Sequence, residues 1–558
     1  MERKKTNVLS LLEDKTKDFN DRVALGTKNT MGWREFTYKG LGLMSRKLAW
    51  HLMNTVGVKR GERVAILSES KPEYGACVFA SILAGTVTVP LDVKLTKYEL
   101  NSILSDCEPS VILVSQHYIE TALELQKMIS SIKTILVMDE PSYNLQLTSI
   151  YELPDNYEAK WRHRSPKSTV FIIYTSGTTG APKGVEITFA NMLSQLDDLK
   201  LALDDILPFE TGRILSILPM NHLFEMTVGF STFLNFGYSV YYAQSLKPKD
   251  ILSVMREKQI NFMIVVPAFL KLLKTAIESE LHNAPKATQA GFKVMYKLAK
   301  FVPFRSVRKL MFKQIHDKFG GHFLGCIPGG APMDLEVGKF FDRIGIQLYQ
   351  GYGLSEASPV VSVNTHSHNK LGSVGRALKS LETKIDEATG ELLIKGPSVM
   401  KGYHNQEELT KTVIDEDGWL HTGDIAKIDK DGHIFITGRI KNMIVLSGGK
   451  KVFPEEVESV LEKSEYLSEV CVLGMSRTFG AKDGTEDIAA VVVPKDYVME
   501  KFDDAELDKV IKSDIKHLAT RLTAYKRPVN IFISRTPLPR TATRKVKRKE
   551  VKELVKSI

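Results

Sequence analysis

Cysteine is scarce in this 558-residue chain: Cys77, Cys107, Cys326 and Cys471 stand far apart, with no CxxC pair and no Cys/His cluster. That spacing argues against a disulfide framework and a zinc site, and predicts a reduced compartment with four buried apolar fillers. A signal-peptide core is also lacking, because acidic residues interrupt the basic start MERKKTNVLSLLEDK. Secretion is therefore not expected, and the cytoplasm is the expected location. The longest uncharged stretch, 226–246, could span a bilayer by length, but it carries Asn235, Gln244, three tyrosines and two glycines. It reads as a buried helix leading into a strand. No repeat of fixed period and no long low-complexity tract occurs, which sets repeat architectures aside.

Acidic residues are missing from two segments, although they are common elsewhere. None lies in 281–316, and 540–549 is almost continuously basic. The net charge of +10, from 76 basic and 66 acidic residues, is a modest excess over this length. It does not by itself select an anionic partner, and without a recognisable binding motif nucleic acid is not expected.

Short Val/Ile-rich runs, ERVAILS, SVILVS, KTILVMD and STVFIIYT, alternate with longer segments of helical period. This is the pattern of an α/β fold, parallel or mixed sheets covered by helices. After Leu371 the texture changes to short alternating strands and tight turns. Beyond Arg439, a run of strands and helices has enough apolar surface for a core of its own. The expected organisation is a large core over 1–370, a small β-rich subdomain over 371–439 and a mobile α+β domain over 440–558.

The strand Thr169-Val-Phe-Ile-Ile-Tyr174 runs straight into Thr175-Ser-Gly-Thr-Thr-Gly-Ala-Pro-Lys-Gly184. Glycines turn backbone N–H groups toward an anion, hydroxyls add donors, and Lys183 supplies positive charge for a polyphosphate. The P-loop pattern GxxxxGK[ST] is absent, because Ala181-Pro182 follows Gly180. A P-loop NTPase is disfavoured. Read alone, the segment is either a phosphate cradle or an ordinary Ser/Gly loop.

At this point the sequence resembles the adenylate-forming superfamily of acyl-CoA synthetases, adenylation domains and luciferases, whose signature is a TSGTTGxPKG loop. Further segments resemble its later motifs in order: Gly329-Gly-Ala-Pro332, Tyr349-Gln-Gly-Tyr-Gly-Leu-Ser-Glu356, Gly418-Trp-Leu-His-Thr-Gly-Asp424, Gly438-Arg-Ile-Lys-Asn442 and Pro539-Arg-Thr-Ala-Thr-Arg-Lys545. The resemblance implies that ATP, Mg²⁺ and CoA are used. It places ATP against Thr175, Ser176, Gly177, Thr178, Thr179, Gly180 and Lys183. The adenine wall would be Gly329, Gly330, Ala331 and Pro332 with Tyr352, which offers its ring for stacking, and Gln350, Gly351, Gly353 and Ser355 would be further nucleotide-binding residues.

Glu356 is a hard carboxylate donor suited to Mg²⁺, with Thr175 as its companion ligand. Asp424 would accept from the ribose hydroxyls, with Arg439 donating to the sugar from the other side. Lys545 is the catalytic lysine by position; Lys547 and Arg548 read as surface. The implied hinge is Lys441, and Gly448 and Gly449 would line the thiol tunnel in a second half-reaction. The chemistry is carboxylate plus MgATP to acyl-AMP and pyrophosphate, followed by thiol attack that releases AMP.

Leu218-Pro-Met-Asn-His-Leu-Phe-Glu225 resembles the LPxxHxxE form of long-chain fatty acyl-CoA synthetases, which sets His222 beside the substrate carboxylate. Phe292, Met295, Tyr296 and Ala299 fall at helical spacing, with Lys293, Lys297 and Lys300 on another face. Such a helix either rests on anionic lipid, giving a peripheral membrane contact, or packs on the body of the protein. Phe189, Ser355, Asn442, Lys451 and Arg544 depart from the commoner family residues, which bears on thiol choice and hinge behaviour more than on adenylation. The leading expectation is a long-chain fatty acid–CoA ligase. The alternatives are transfer to acyl carrier protein, a ligase for another acid, or a catalytically silent acyl- or nucleotide-binding homologue.

Overall fold

The computed structural model describes residues 15–29, 32–141, 147–155, 161–175, 182–207, 211–446, 450–476, 486–540 and 546–556. The chain divides into two compact units, Met1–Glu382 with Ile394–Leu420, and Thr383–Leu393 with His421–Ile558. Residue 440, where the mobile domain was expected to begin, lies within the second unit.

Two seven-stranded sheets build the first unit. One runs Gln347–Leu348, Gly325–Pro328, Phe262–Val265, Arg213–Ser216, Ser239–Tyr242 and Val23–Asn29, all parallel, and ends on the antiparallel edge Gly32–Thr37. The other holds the four runs singled out by composition. Its order is Gly402–Tyr403, Lys183–Thr188, Thr169–Thr175, Val87–Leu91, Arg63–Leu67, Val111–Val114 and Thr134–Val137. Between the sheets, helix Pro72–Ala84 is buried on every residue, as a helix apolar all round must be. It touches strands of both sheets, and Gly75 lets Leu25 and Phe230 approach it closely.

The uncharged stretch forms a fully buried π-helical segment, Glu225–Thr232, a short helical turn Phe233–Asn235 and the buried strand Ser239–Tyr242. That is the helix-then-strand expected of it. No described helix is long and apolar enough to cross a membrane. All four cysteines are buried and unbonded, and burial pushes every thiol up.

The helix expected from the Phe292 spacing spans Lys286–Ala299. Its apolar stripe packs inward: Ala299 belongs to the core, and Phe292, Met295 and Tyr296 lie against it. Phe292 meets Phe312 edge-on with ring centroids 5.4 Å apart, and the Arg343 guanidinium sits 4.9 Å from the Tyr296 ring. Of the two expectations for this stripe, packing on the body of the protein is the outcome.

Strands Glu382–Ile385, Glu391–Lys395, Leu420–Ile428 and Ile434–Arg439 form a four-stranded sheet, most of whose residues belong to the second unit. A further sheet sets Glu486–Pro494 between antiparallel Leu467–Ser476 and parallel Asn530–Ile533. Alternation along its strands fills two cores. Val472, Ala490 and Val492 face helices Pro454–Leu461 and Asp504–Ala519, while Cys471, Leu473, Val491 and Val493 face Val551 and Val555 of the C-terminal helix Arg548–Lys556. The central strand reads as a continuous apolar run because both faces are covered.

Candidate active site

Strands Thr169–Thr175 and Lys183–Thr188 pair antiparallel, with Thr175 opposite Lys183. The loop between them begins and ends at neighbouring points. Ser176, Gly177, Thr178, Thr179 and Gly180 lie outside the described residues, and the site is built from what surrounds them. The hairpin base is held firmly: the Tyr174 hydroxyl donates to Asp106 at 2.5 Å. On the far strand, Glu186 receives Lys401 at 2.6 Å, Thr169 at 2.8 Å and the His404 ring at 2.7 Å. Burial opposes ionisation of Glu186, but the hydrogen bonds from His404, Lys401 and Thr169 outweigh it and hold the carboxyl down at about 2.

That clamp lays Gly402–Tyr403 along the hairpin as an edge strand, Tyr403 opposite Val185. The Tyr403 hydroxyl then donates to Glu356 Oε1 at 2.8 Å, and the Lys183 ammonium sits 5.3 Å from its ring centroid. Burial first, and the Glu356 charge second, raise the Tyr403 phenol far above its ordinary range, so it remains a donor. Among the described residues neither Lys183 nor Glu356 makes an ion pair. A cation and a carboxylate thus flank one buried tyrosine without neutralising each other. Nothing in the sequence spacing pointed to Tyr403, which stands 47 positions from its partner.

Glu356 sits on a short 3₁₀ turn, Ser355–Ala357, between strands Gly351–Gly353 and Val360–Val363. In that hairpin Tyr352 lies opposite Ser362 and Gly353 opposite Val360. A Cβ on Gly353 would collide with the Pro359 carbonyl. Gln350 is buried, and its carbonyl accepts from the Asn364 backbone at 2.9 Å.

Gly329–Pro332 leaves the carboxyl end of strand Gly325–Pro328, and the 217–222 turn leaves the carboxyl end of Arg213–Ser216. Ligands of open α/β sheets bind at such ends. Just past the second turn, the Phe224 ring would lie 2.8 Å from a Cβ on Gly329. Gly330 takes a left-handed φ of +78°, open to glycine at little cost. His222 opens the turn that becomes the π-helical segment, the Met226 N–H donating to its carbonyl at 2.9 Å. The structure therefore brings Thr175, Lys183, Glu356 and Tyr352 onto adjoining hairpins, and sets Phe224, two residues after His222, against Gly329.

Glu225 completes the LPxxHxxE segment and was not singled out for a role. Its carboxyl is fully buried, takes a hydrogen bond from Ser216, and packs against Gly229. Burial raises it from 4.5 to about 8. The unfolded chain sheds this proton near pH 4.5, whereas the folded chain keeps it until about pH 8, so this group lowers stability as pH rises through that window. Glu225→Gln should remove the slope. Its melting temperature relative to the parent should rise steadily from pH 5 to pH 8.5, corresponding to a stability difference on the order of a few kcal/mol in total. A pH-independent offset from the new amide shifts the difference between variant and parent without changing how it varies with pH; a difference constant from pH 5 to pH 8.5 would refute the buried-acid assignment.

In the second unit Asp424 and Arg439 are cross-strand partners. The Arg439 Nε donates to the buried Asp424 carboxylate at 2.8 Å. The two side chains that the sequence reading set on opposite sides of a sugar are thus neighbours on one sheet. Gly423 places Asp424 after a left-handed turn at φ +72°, and its N–H donates to Glu391 at 2.7 Å. Lys441 is exposed in the 3₁₀ turn Ile440–Asn442, where Asn442 donates to Glu455 at 2.7 Å. Gly448, Gly449 and Lys545 lie outside the described residues. Arg540 and Val546 form an antiparallel bridge at the ends of the segment that contains Lys545. Arg548 corrects its reading as a surface residue: it forks onto Glu458 at 2.5 and 2.7 Å and donates to the Val472 carbonyl at 2.7 Å.

The chain is similar to several known proteins over nearly all its length. A long-chain-fatty-acid–CoA ligase of Salmonella typhimurium is 29% identical over 557 residues, covering 93% of this chain and 90% of that protein. The long-chain-fatty-acid–CoA ligase FadD15 of Mycobacterium bovis is 28% identical, covering 85% and 81%. Among solved structures, an ATP-bound RpMatB-BxBclM chimera superposes with a TM-score of 0.80 at 24% identity, over 99% of each chain, and so shares the fold. Residues 12–404 match the AMP-binding enzyme model and 441–557 its C-terminal domain model. With the hairpin, turns and edge strand of the first unit built as described, the chain belongs to the AMP-binding enzyme family.

Proposed function

We propose that this enzyme activates a long-chain fatty acid with ATP and transfers the acyl group to CoA. The observation that carries the reading is the arrangement around Tyr403: the Lys183 ammonium faces its ring, Glu356 accepts from its hydroxyl, and among the described residues neither is spent on an ion pair. A half-buried lysine with no ion pair among the described residues suits phosphate oxygens. A carboxylate fixed by one tyrosine hydrogen bond, with the Thr175 hydroxyl on the adjoining hairpin, is a hard-oxygen donor set that fits Mg²⁺. When bound, the ion would neutralise phosphate charge.

In this reading Ser176, Thr178 and Thr179 donate to phosphate oxygens, and Tyr352 and the Gly329–Pro332 turn receive the adenine. Asp424, steadied by Arg439, accepts from the ribose. His222 orients the acid so that its carboxylate oxygen attacks the α-phosphorus as the bond to pyrophosphate breaks; Lys545 offsets charge on the reacting oxygens. The thiol sulfur then attacks the acyl carbon and the bond to AMP breaks, with Lys441 as hinge and Gly448 and Gly449 along the thiol path. The names of the relatives support a long acyl chain and a CoA acceptor. The acid is insoluble as a monomer at useful concentration, which favours a cytoplasmic enzyme in peripheral contact with an anionic membrane.

Acid-dependent ATP–pyrophosphate exchange tests this. Long unbranched fatty acids should support exchange well above acetate, malonate and benzoate, and CoA should outcompete acyl carrier protein as thiol in the second step. Exchange with no acid in the panel would leave only a silent binding protein, and preference for carrier protein would reassign the acceptor.

A further inference from the structure

Six of the exposed large apolar side chains crowd into residues 294–310: Val294, Leu298, Phe301, Phe304, Val307 and Leu310. Phe301, Leu310 and Phe304 are 78%, 71% and 69% exposed, values unusual for large apolar groups without a partner surface. None belongs to the stripe that packs inward. On helix Lys286–Ala299, Val294 and Leu298 are one turn apart on the outward side, and Phe301 continues their line just past the helix end. On helix Arg305–Met311, Val307 and Leu310 are again one turn apart, with Phe304 just before it. Phe292 and Phe312, in mutual contact, pin both helices to the core from within.

The charge on this face has one sign. Residues 281–316 contain no acid. Arg305 and Arg308 face Asp342, and Lys309 donates to the Gly321 carbonyl, so these three are structural. Lys286, Lys293, Lys297 and Lys300 are exposed and make no ion pair among the described residues. Three of them precede Val294, Leu298 and Phe301 by a single position, which sets each ammonium about 100° around the helix from an apolar neighbour. The nearby acids of flanking helices are engaged, Asp317 by Lys313 and Glu280 by Lys318.

We infer that the outward faces of helices Lys286–Ala299 and Arg305–Met311 dock on an anionic lipid bilayer, the apolar side chains entering the acyl boundary and the four lysines reaching phosphate headgroups. Long amphipathic lysines extend their charge outward while their stems cover apolar surface. A second copy of this chain is a poorer occupant, since a two-fold contact would bring two basic faces together. The inference deepens the proposed function by naming the surface through which a fatty acid dissolved in lipid would be met, and it rests on that reading only for its purpose.

Flotation of the full chain on sucrose gradients tests it, without ATP or acid present. The protein should rise with phosphatidylcholine vesicles containing phosphatidylglycerol, remain behind with phosphatidylcholine alone, and be released at about 1 M salt. Phe301→Glu with Leu310→Glu should reduce the floated fraction at least tenfold, and Lys293→Gln with Lys297→Gln and Lys300→Gln should do so at moderate salt. Circular dichroism and melting should match the parent in both.

No recovery with anionic vesicles overturns the inference, as does flotation unchanged in both variants. So does a parent that dimerises through this face, or binds duplex nucleic acid and not lipid. Pyrophosphate exchange is scored separately. A chain that floats but never exchanges refutes the proposed activity and keeps the docking face, and one that exchanges but never floats does the reverse.

Discussion

Glu356→Gln is expected to lower acid-dependent pyrophosphate exchange by about 10²–10³-fold, while stability changes by less than about 0.5 kcal/mol. The substitution separates two duties of one side chain. A glutamine carbonyl still accepts from the Tyr403 hydroxyl, now 2.8 Å from Oε1, and the backbone link from the Met400 N–H to the Glu356 carbonyl is untouched. What disappears is the negative charge that, in the proposed function, would face Mg²⁺ and the phosphates. The Mg²⁺ concentration needed for half-maximal exchange should rise, with excess metal restoring part of the rate. Tyr403→Phe is the companion measurement: it keeps the charge, loses one hydrogen bond, and should cost much less. A glutamine variant within threefold of the parent would make Glu356 only an acceptor for Tyr403 and would remove the main support for the proposed chemistry.

How far the sequence carried the fold depended on whether burial was symmetrical. The runs at Arg63–Leu67, Val111–Val114, Thr134–Val137 and Thr169–Thr175 are apolar without alternation because helices cover both faces of their sheet, and they were readable as strands for that reason. Periodicity also found the helix over Lys286–Ala299. It could not say which of two apolar-bearing faces met the core. Phe292 and Tyr296 won through ring contacts with Phe312 and Phe340, residues outside the helix.

The site shows the same limit. Ordered motifs singled out Thr175, Lys183, Tyr352 and Glu356 as candidates, because hydroxyl, glycine and carboxylate patterns are local. Tyr403 escaped because its role comes from edge pairing with Lys183–Thr188, a long-range event with no local signature. Glu225 was legible as part of a motif but not as a protonated acid, since only three-dimensional burial makes it one.

Arg548 was misread for a related reason, and its replacement is the second large effect expected. In a run such as RKVKRKE a charged side chain is ordinarily solvated. Here one guanidinium takes Glu458 as a two-pronged partner, reaches Glu455 at 3.4 Å and caps the Val472 carbonyl. Burial works against its charge, but the Glu458 contacts more than compensate and raise its pKa. Arg548→Ala would leave two part-buried carboxylates on helix Pro454–Leu461 facing each other without their cation. Stability of the adjoining structure should fall by about 2–4 kcal/mol, read as faster hydrogen exchange in Arg548–Lys556 and Pro454–Leu461.

Lysine keeps the charge but cannot form the fork, so Arg548→Lys should fall between the two. The same residue lies three positions from Lys545, just beyond the bridge from Arg540 to Val546 and the hydrogen bond from the Lys547 N–H to the Pro539 carbonyl at 2.8 Å. If Lys545 serves the reacting oxygens, a looser anchor should reduce kcat for exchange several-fold and leave KM for ATP nearly unchanged, because the contact is made in the transition state. Parent-like protection together with parent-like kcat in Arg548→Lys would show that the fork contributes to neither.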